Sequence, residues 1–371
     1  MNLTSRNLLL TVLALILAVP TVWQLTADAD TFVDVARIPL MFKGFTSDNA
    51  GAVLLALPRA EQPEPSANPD PSQPPRISYD ELLMQLSDGD WRIGQIPGQG
   101  PGRLVAAPIQ KQRIESDVFH HLRMIRKDPN TLVQSNASEE QLKKYGLDER
   151  HAYLIRVFSK DREATTALAE LYVGDDASVG RSDSEAVRGV FVRQVGSNDV
   201  VLYEWEKPWR RNIETDGWLD LALERVEPDR VRKLTIKNLS TKGQTFVFER
   251  EPNKSMWLAK GPGESLGAVR QAEIEGLTQR FRYLSVEGFE QRLQNAGDMR
   301  TYGLDPPATE ITFVVAEGST QKEVRIEVGK KVDGRNAYYV TCNLQRFIMT
   351  WSSSMATPFE LDVATRLFDP K

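Results

Sequence analysis

Apolar and polar residues alternate in several short stretches in the C-terminal part of the chain. Strand-like stretches occupy residues 231–237, 246–249, 256–259, 310–316, 323–328, 337–342 and 346–351. A period of two residues is typical of a β-strand with one buried face. Turn-forming residues such as Gly318, Asp333-Gly334 and Asn343 separate the later stretches. The pattern predicts an antiparallel meander.

One stretch between these strands has helical spacing instead. Its apolar residues recur largely at intervals of three and four, at Val269, Ile274, Leu277, Phe281 and Leu284. This spacing places them on one side of a helix. We therefore expect a single amphipathic helix that covers one face of the sheet.

The same order of elements occurs earlier in the chain. Tyr145-Gly146-Leu147-Asp148 returns as Tyr302-Gly303-Leu304-Asp305, and each copy follows a strand signal that ends in tryptophan. The earlier copy has a helical stripe at Ile114, Val118, Leu122 and Ile125, and strand-like stretches at 152–158, 167–173, 187–192 and 200–205. A repeated order of elements indicates tandem copies of one fold.

We interpret the repeated tetrapeptide as a turn between the helical and strand parts of each copy. Glycine permits a positive φ, and the Asp carboxylate can bond to nearby backbone amides. The Tyr and Leu side chains would then fill the core on either side.

These patterns predict an α+β fold with two tandem copies of a mainly antiparallel β-sheet domain. Each copy would carry one packed helix, and a single transmembrane helix would precede both. The predicted divisions are an anchor at residues 1–30, a first domain at 31–225 and a second domain at 226–371. Residues 61–76 are rich in proline and polar residues and predict a disordered insertion in the first domain. The alternative is a plain linker between a membrane stalk and a domain that starts near Ile77.

The N-terminal apolar run, residues 8–25, contains no charged residue and has about the minimum length for crossing a bilayer. Arg6 precedes it, whereas Asp28, Asp30 and Asp34 follow it. This asymmetry favours a single-pass protein of the cytoplasmic (inner) membrane whose bulk is periplasmic. Ala27-Asp28-Ala29 leaves open the alternative of a cleaved signal peptide.

Composition and residue spacing argue against several kinds of site. The net charge of −5, with acidic and basic residues mixed, makes nucleic acid an unlikely partner. The three histidines lack metal-ligand spacing, and no phosphate-binding or nucleophile motif is present. We therefore predict no catalytic, cofactor or metal residues and a protein that is not an enzyme. The single cysteine, Cys342, is expected to be a buried free thiol.

A tryptophan-rich stretch joins the two copies and contains Trp205, Trp209 and Trp218. Indole rings bury large areas and also form binding platforms. The three side chains could therefore pack one copy against the other or form a patch for a partner.

The second copy contains a strand ending in tryptophan, a helix, a turn and alternating strands in a fixed order. The residues that define this order are Trp257, Tyr302-Gly303-Leu304-Asp305-Pro306-Pro307, Val328-Gly329-Lys330 and Tyr338-Tyr339-Val340. This order resembles the uncharacterised bacterial family called domain of unknown function 4340. The resemblance covers residues 231–368 and, with loop insertions, about 51–221, where Glu149-Arg150 replaces the two prolines.

The resemblance implies a membrane-anchored envelope protein whose partners are other envelope or transporter proteins. It points to a non-catalytic accessory or scaffold subunit of an ABC-type transport complex, similar to systems associated with gliding motility. The alternative is a periplasmic binding module for an envelope polymer or peptide. The family implies no catalytic residues.

Overall fold

The structure is a computed structural model that describes most of the chain after residue 37. It describes residues 38–59, 77–97, 102–161, 167–179, 187–205, 209–239, 243–251, 256–293, 295–360 and 363–369. The predicted membrane segment at 8–25 and the proline-rich insertion at 61–76 lie outside these ranges. Within them, no helix has the length and apolar character needed to cross a bilayer.

The first half of the described chain, residues 38–221, forms one antiparallel sheet of eight strands. The strands are β1 (Ala50–Pro58), β2 (Tyr79–Ser87), β3 (Asp90–Ile93), β4 (Leu132–Gln134), β5 (Tyr153–Ser159), β6 (Ala169–Val179), β7 (Val187–Gln194) and β8 (Val200–Glu204). Their order across the sheet is β3-β2-β1-β5-β6-β7-β8-β4. In the central strands, Val53 pairs with both Val157 and Met84, and all three side chains are buried.

The second half, from residue 222 onward, contains a second eight-stranded sheet. Its strands are β10 (Val231–Asn238), β11 (Gln244–Arg250), β12 (Trp257–Lys260), β14 (Gly288–Arg292), β15 (Thr309–Glu317), β16 (Thr320–Lys331), β17 (Ala337–Cys342) and β18 (Gln345–Ser352). A separate short ribbon pairs β9 (Ala222–Glu224) with β13 (Leu284–Ser285). The order β12-β11-β10-β15-β16-β17-β18-β14 matches the first sheet position by position.

The helices are short in both halves. In the first half they are α1 (Lys111–Ile114), a π-helical turn (Glu115–Phe119), α2 (His120–Met124) and α3 (Glu139–Lys144). In the second half they are α4 (Gln271–Gln279), α5 (Ala296–Thr301), α6 (Ser353–Glu360) and α7 (Val363–Leu367). Single 3₁₀ turns occur at Ser47–Asn49, Pro129–Thr131, Thr215–Gly217, Pro228–Arg230, Gly261–Ser265 and Arg280–Tyr283.

The predicted α+β class is therefore wrong, because the described chain is mostly antiparallel β with few helical residues. The prediction of one packed helix in each half also fails. A second helix, α3 or α5, precedes the Tyr-Gly-Leu-Asp turn, and Ser138 or Asn295 begins it with a reciprocal capping box. Six-residue helices of this kind are too short to give a clear period of 3.6 in the sequence.

The repeated tetrapeptide ends this second helix in the same way in both halves. Gly146 and Gly303 have positive φ angles of 64° and 69°. In the first half the Leu147 amide donates to the Leu142 carbonyl at 2.9 Å, and the Gly146 amide donates to Lys143. The same two bonds recur at Leu304 and Gly303. This pair of bonds is a Schellman motif, which strongly favours glycine at the positive-φ position.

A second repeated word, Val-Gly, is explained by contact with this turn. The Asp175 amide, directly after Gly174, donates to the Tyr145 carbonyl at 2.9 Å. A Cβ atom at Gly174 would overlap that carbonyl oxygen, so the strand can approach only as glycine. Gly329 lies against Tyr302 in the same manner.

The side chains of the turn only partly follow the prediction. Leu147 and Leu304 are fully buried, which confirms that the leucines fill the core. The Asp carboxylates bond to side chains, because Asp148 contacts His151 Nδ1 at 2.7 Å and Asp305 accepts from Arg300 Nε at 3.2 Å. The expectation that they bond to backbone amides is wrong.

In each half, the residue just before the first helical segment forms a β-bridge with a residue near the end of that half. Ile109 pairs with Leu219 in the first half, and Val269 pairs with Phe368 in the second. The chain leading into each half also pairs just beyond that helical segment: Leu40 bridges Arg126, and β9 pairs with β13. The domain boundary at residues 225 and 226 stays a prediction.

The two halves contact each other through both backbone and apolar side chains. The Arg292 amide in β14 donates to the Arg103 carbonyl at 2.8 Å, and the Val286 amide donates to Leu221 at 2.9 Å. One apolar cluster contains buried residues of both halves. The loop after β3 thereby reaches the outer edge of the second sheet.

Candidate functional site

The candidate site is an open groove of about 1510 Å³ in the first half, between the helical segment α1–π–α2 and strand β8. We call it the first-half groove. Its lining residues are Gln110, Gln112, Arg113, Glu115, Ser116, Asp117, His120, His121, Arg123, Met124, Ile125, Arg126, Asp128, Thr131, Val201, Leu202, Tyr203, Glu204, Trp205 and Arg210. The volume exceeds that of an ordinary small-molecule pocket, so the groove suits part of a larger ligand.

The helical side of the groove contains one residue more than its counterpart in the second half. Sixteen residues separate Ile109 from Ile125, whereas fifteen separate Val269 from Leu284. Both intervals run from the residue of the β-bridge to the last buried residue of the apolar stripe. A one-residue insertion in a helix is accommodated as a π turn, and such turns often occur at functional sites.

The second half fills the corresponding region with a helix. After Trp351, α6 packs beside the end of α4, where Arg280 Nη1 donates to the Ser354 carbonyl at 2.9 Å. Phe359 in α6 stacks on both Phe281 and Trp351. In the first half, the described residues after Trp205 form no α-helix, and this difference leaves the groove open.

A largely buried aromatic cluster forms part of the groove wall. His121 Nδ1 lies 3.1 Å from the Tyr203 hydroxyl, and the imidazole stacks on Trp209 at a centroid distance of 4.5 Å. Burial lowers the pKa of His121 to about 4 and raises the pKa of Tyr203 to about 12. Both groups are therefore neutral near pH 7, where His121 is a weak base and Tyr203 is a weak acid.

Charged side chains along the groove are mostly paired. Arg123 forms an ion pair with Glu115 and donates to the Ser47 hydroxyl at 2.6 Å. Arg113 lies 3.5 Å from Asp117, one helical turn away. These pairs fix the polar surface of the π turn and leave little net charge.

At the other side of the groove, Glu204 and Arg210 are exposed. Neither forms an ion pair or side-chain hydrogen bond with another described residue. A ligand with polar or charged groups could therefore contact both.

The described residues contain no cluster of three or more potential metal ligands. His120 is exposed beside the buried His121, and His151 pairs with Asp148 elsewhere. Cys342 is buried, as predicted, and burial raises the pKa of its thiol.

Comparison with known proteins identifies the family. The family model for Domain of unknown function (DUF4340) matches residues 104–307, which is more than half of the chain. The chain belongs to this family. No curated protein and no solved structure matches it significantly.

The DUF4340 match includes all the lining residues of the first-half groove and ends just after the second Tyr-Gly-Leu-Asp turn. It crosses from one half into the other and coincides with neither. The groove of this DUF4340 protein therefore lies within the matched segment, whereas β1–β3 and β15–β18 lie outside it.

The three tryptophans predicted as packing or binding residues differ in exposure. Trp209 and Trp218 are buried in the first half, where Trp209 contacts His121 and the Trp218 indole donates to the Asn212 carbonyl at 3.1 Å. They cannot form a surface patch. Trp205 is half-buried and lines the groove.

The hydrophobic pattern and motifs of the sequence do not predict the groove. The sequence signal of this difference is the spacing within the two apolar stripes, which is 11 positions from Ile114 to Ile125 and 10 from Ile274 to Leu284.

Proposed function

We propose that this DUF4340 protein is a non-catalytic, membrane-anchored envelope protein that binds a partner through the first-half groove. In this proposal it acts as an accessory or scaffold subunit of an ABC-type transport complex of the kind associated with gliding motility. The proposal combines the apolar N-terminal run with the partners that the family resemblance implies.

A structural difference between the two halves supports a binding role, because their sheets have the same strand order but only the first half has the open groove. The second half covers the region beside its helix with α6, whereas the first half leaves an open groove with polar and apolar walls. Its mixed lining resembles a protein-binding surface more than a small-molecule site.

The test is affinity purification of the full-length protein from membranes in a mild detergent. A multispanning permease or an ATP-hydrolysing subunit should be recovered with it in a fixed ratio. Reversing the two exposed groove charges, with Glu204→Lys and Arg210→Glu, should reduce that recovery about tenfold or more, because like-charge contacts at an interface are strongly unfavourable.

Arg230→Glu is the matched control, since Arg230 is exposed on the second half and is not a lining residue of the groove. This variant should retain the partner. Recovery of the wild-type chain alone would contradict the proposed transporter role. Equal recovery with the groove and control variants would exclude the groove as the contact.

A second function, binding of an envelope polymer or peptide, is favoured by the half-buried indole of Trp205 in the groove. Aromatic rings provide flat surfaces for such ligands. Titration with peptidoglycan fragments and with peptides should then change the tryptophan fluorescence, and Trp205→Phe should reduce that change. An unchanged spectrum across both ligand sets would refute this alternative.

A further inference from the structure

Strand β8 has an incompletely paired edge inside the first-half groove. On one side, β7 pairs with β8 from Val201 to Glu204. On the other side, β4 pairs only with Val200 and Val201. Among the described residues, no strand pairs with this second side of β8 from Leu202 to Glu204. We call residues 202–204 the open edge.

The groove lies along this edge of the strand. Its lining includes every residue from 201 to 205. A groove on one face of the sheet would be lined by every second residue, because neighbouring side chains of a strand point to opposite faces. The unbroken run of lining residues therefore indicates that the groove gives access to the edge of β8 and its backbone.

The open edge can be aligned with β18 through the pairing partners of the two strands. Val192 of β7 pairs with Val201, and Val340 of β17 pairs with Met349. Val192 and Val340 occupy the same position, because each pairs with the valine of the repeated Val-Gly word. The open edge therefore corresponds to the part of β18 that begins at Thr350.

In the second half, β14 covers the residue that corresponds to Leu202. Gly288 pairs with Thr350, and the Glu287 amide donates to the Thr350 carbonyl at 2.8 Å. Backbone groups of alternate residues point to opposite sides of a strand. By this correspondence, the N–H and C=O groups of Leu202 and Glu204 point into the groove.

The turn before β4 explains why the first half leaves this edge uncovered. The Asn130 amide donates to Asp128 Oδ1 at 2.8 Å, and the Thr131 amide donates to the Asp128 carbonyl at 3.1 Å. Pro129 has no amide hydrogen to donate. These three residues of the turn therefore offer no backbone donor to the open edge.

We propose that the open edge binds an extended peptide segment of the partner protein, which adds an antiparallel strand beside β8. This proposal rests on the binding role of the groove proposed above and names the form of its ligand. Unpaired strand edges pair readily with extended chains, and main-chain hydrogen bonds then supply affinity. The three residues span about 10 Å, so a segment of three or four residues fills the edge.

The side chains around the edge predict the character of this peptide. A side chain opposite Tyr203 lies on the face where the Tyr203 hydroxyl contacts His121, and Met124, which is 49% exposed, also lines the groove there. An apolar residue fits this position. Glu204 is exposed and has no ion-pair partner among the described residues, so a basic residue fits opposite it. An antiparallel segment meets Glu204 before Tyr203, which places the basic residue first.

The test uses the peptide acetyl-Thr-Lys-Phe-Val-amide, added at millimolar concentration to the full-length protein in mild detergent. Hydrogen exchange is measured at single amides by mass spectrometry with electron-transfer fragmentation. The peptide should slow exchange of the Leu202 and Glu204 amides by about fivefold, because both gain an acceptor. Exchange of the Tyr203 amide, which points towards β7, should not change.

Two N-methylated peptides are matched controls for strand addition. The backbone of the lysine, opposite Glu204, points to β8, so N-methylation of its amide should abolish the protection. The phenylalanine backbone points away from β8, so N-methylation there should leave the protection in place. Equal effects of the two modifications would overturn the proposal, as would an absence of protection by the unmodified peptide.

Competition connects the open edge with the partner. Excess unmodified peptide should reduce recovery of the partner about tenfold, whereas the N-methyl-lysine peptide should not. Undiminished recovery would show that the partner uses another surface and would overturn the proposal. Protection by peptidoglycan glycan chains but not by the peptide would assign the groove to a polymer and would also overturn it.

The two proposals fail in different ways. If the wild-type chain is recovered alone, the transporter role is contradicted, yet protection of the open edge by the peptide still supports strand addition. If the partner is recovered but the peptide gives no protection, strand addition alone is refuted.

Discussion

Substitution of Gly329 by alanine tests the contact that explains the repeated Val-Gly word. A Cβ atom at this position would overlap the Tyr302 carbonyl oxygen and lie 3.0 Å from Leu304 Cγ, a buried atom. Neither can yield cheaply, because the carbonyl is part of the Schellman turn and Leu304 is packed in the core. β16 must therefore move away from the turn.

The cost has two parts. Inserting a methyl group into packed surroundings costs about 1–3 kcal/mol. The shift would also weaken the bond from the Lys330 amide to the Tyr302 carbonyl, at 3.0 Å, which contributes about 1 kcal/mol. We expect a loss of about 2–4 kcal/mol in the free energy of unfolding, equivalent to roughly 5–15 °C in Tm for a unit of this size.

Thermal unfolding followed by intrinsic tryptophan fluorescence measures the effect, with Gly276→Ala as the control. Gly276 lies within α4, and a Cβ atom there meets no other atom within 4 Å. Alanine should raise stability at this helical position by about 0.5–1 kcal/mol. A Tm for Gly329→Ala equal to or above that of the wild type would refute the reasoning about the turn.

Three further predictions concern the groove and the contact between the leading segment and the second sheet. The folded pKa of His121, about 4, lies below the ordinary 6.5, so the neutral imidazole stabilises the fold above pH 6.5 and this stability is lost as the pH falls towards 4. The wild type should therefore lose about 2 kcal/mol of unfolding free energy between pH 7 and pH 5. His121→Phe should remove this loss, as measured by denaturant unfolding. A pH dependence equal to that of the wild type would contradict this assignment. Lys322→Gln should reduce the free energy of unfolding by less than about 1 kcal/mol in the same assay, because both partners of the Lys322–Glu224 ion pair are partly exposed. A larger loss would contradict this expectation. Deletion of Ser116 should convert the π turn to regular helix, leave Tm within a few degrees and abolish partner recovery; retained recovery would show that the π turn does not shape the binding surface.

Much of the sheet could be predicted because its strands alternate regularly. The stretch at 323–328 lies inside β16 (Thr320–Lys331), and the stretch at 231–237 matches β10 (Val231–Asn238). The glycine of the repeated turn was also predicted correctly, since positive φ leaves a direct signal in residue type. Local physical requirements are therefore visible in this sequence.

Features that depend on distant contacts were not predicted. α3 and α5 are defined by capping side chains and by the Schellman bonds, and six residues give no amphipathic period. The π turn preserves the buried stripe at Ile114, Val118, Leu122 and Ile125, so the stripe alone predicts an uninterrupted helix. The burial of Trp209 depends on stacking with His121, about 90 residues away in sequence.

The comparison between the two halves indicates which surface of the protein is specialised for binding. Their sheets share one strand order, and the turns that join helix to strand are held by the same bonds. The two halves differ beside the first helix, where the first half has an extra residue and, among its described residues, no equivalent of α6. The second half forms the same sheet and turns without the extra residue and with α6 in place. The two differences are therefore not needed to form the sheet. Their combined effect is an open groove next to the point where the chain enters the first half, which makes that groove the best place to look for the partner.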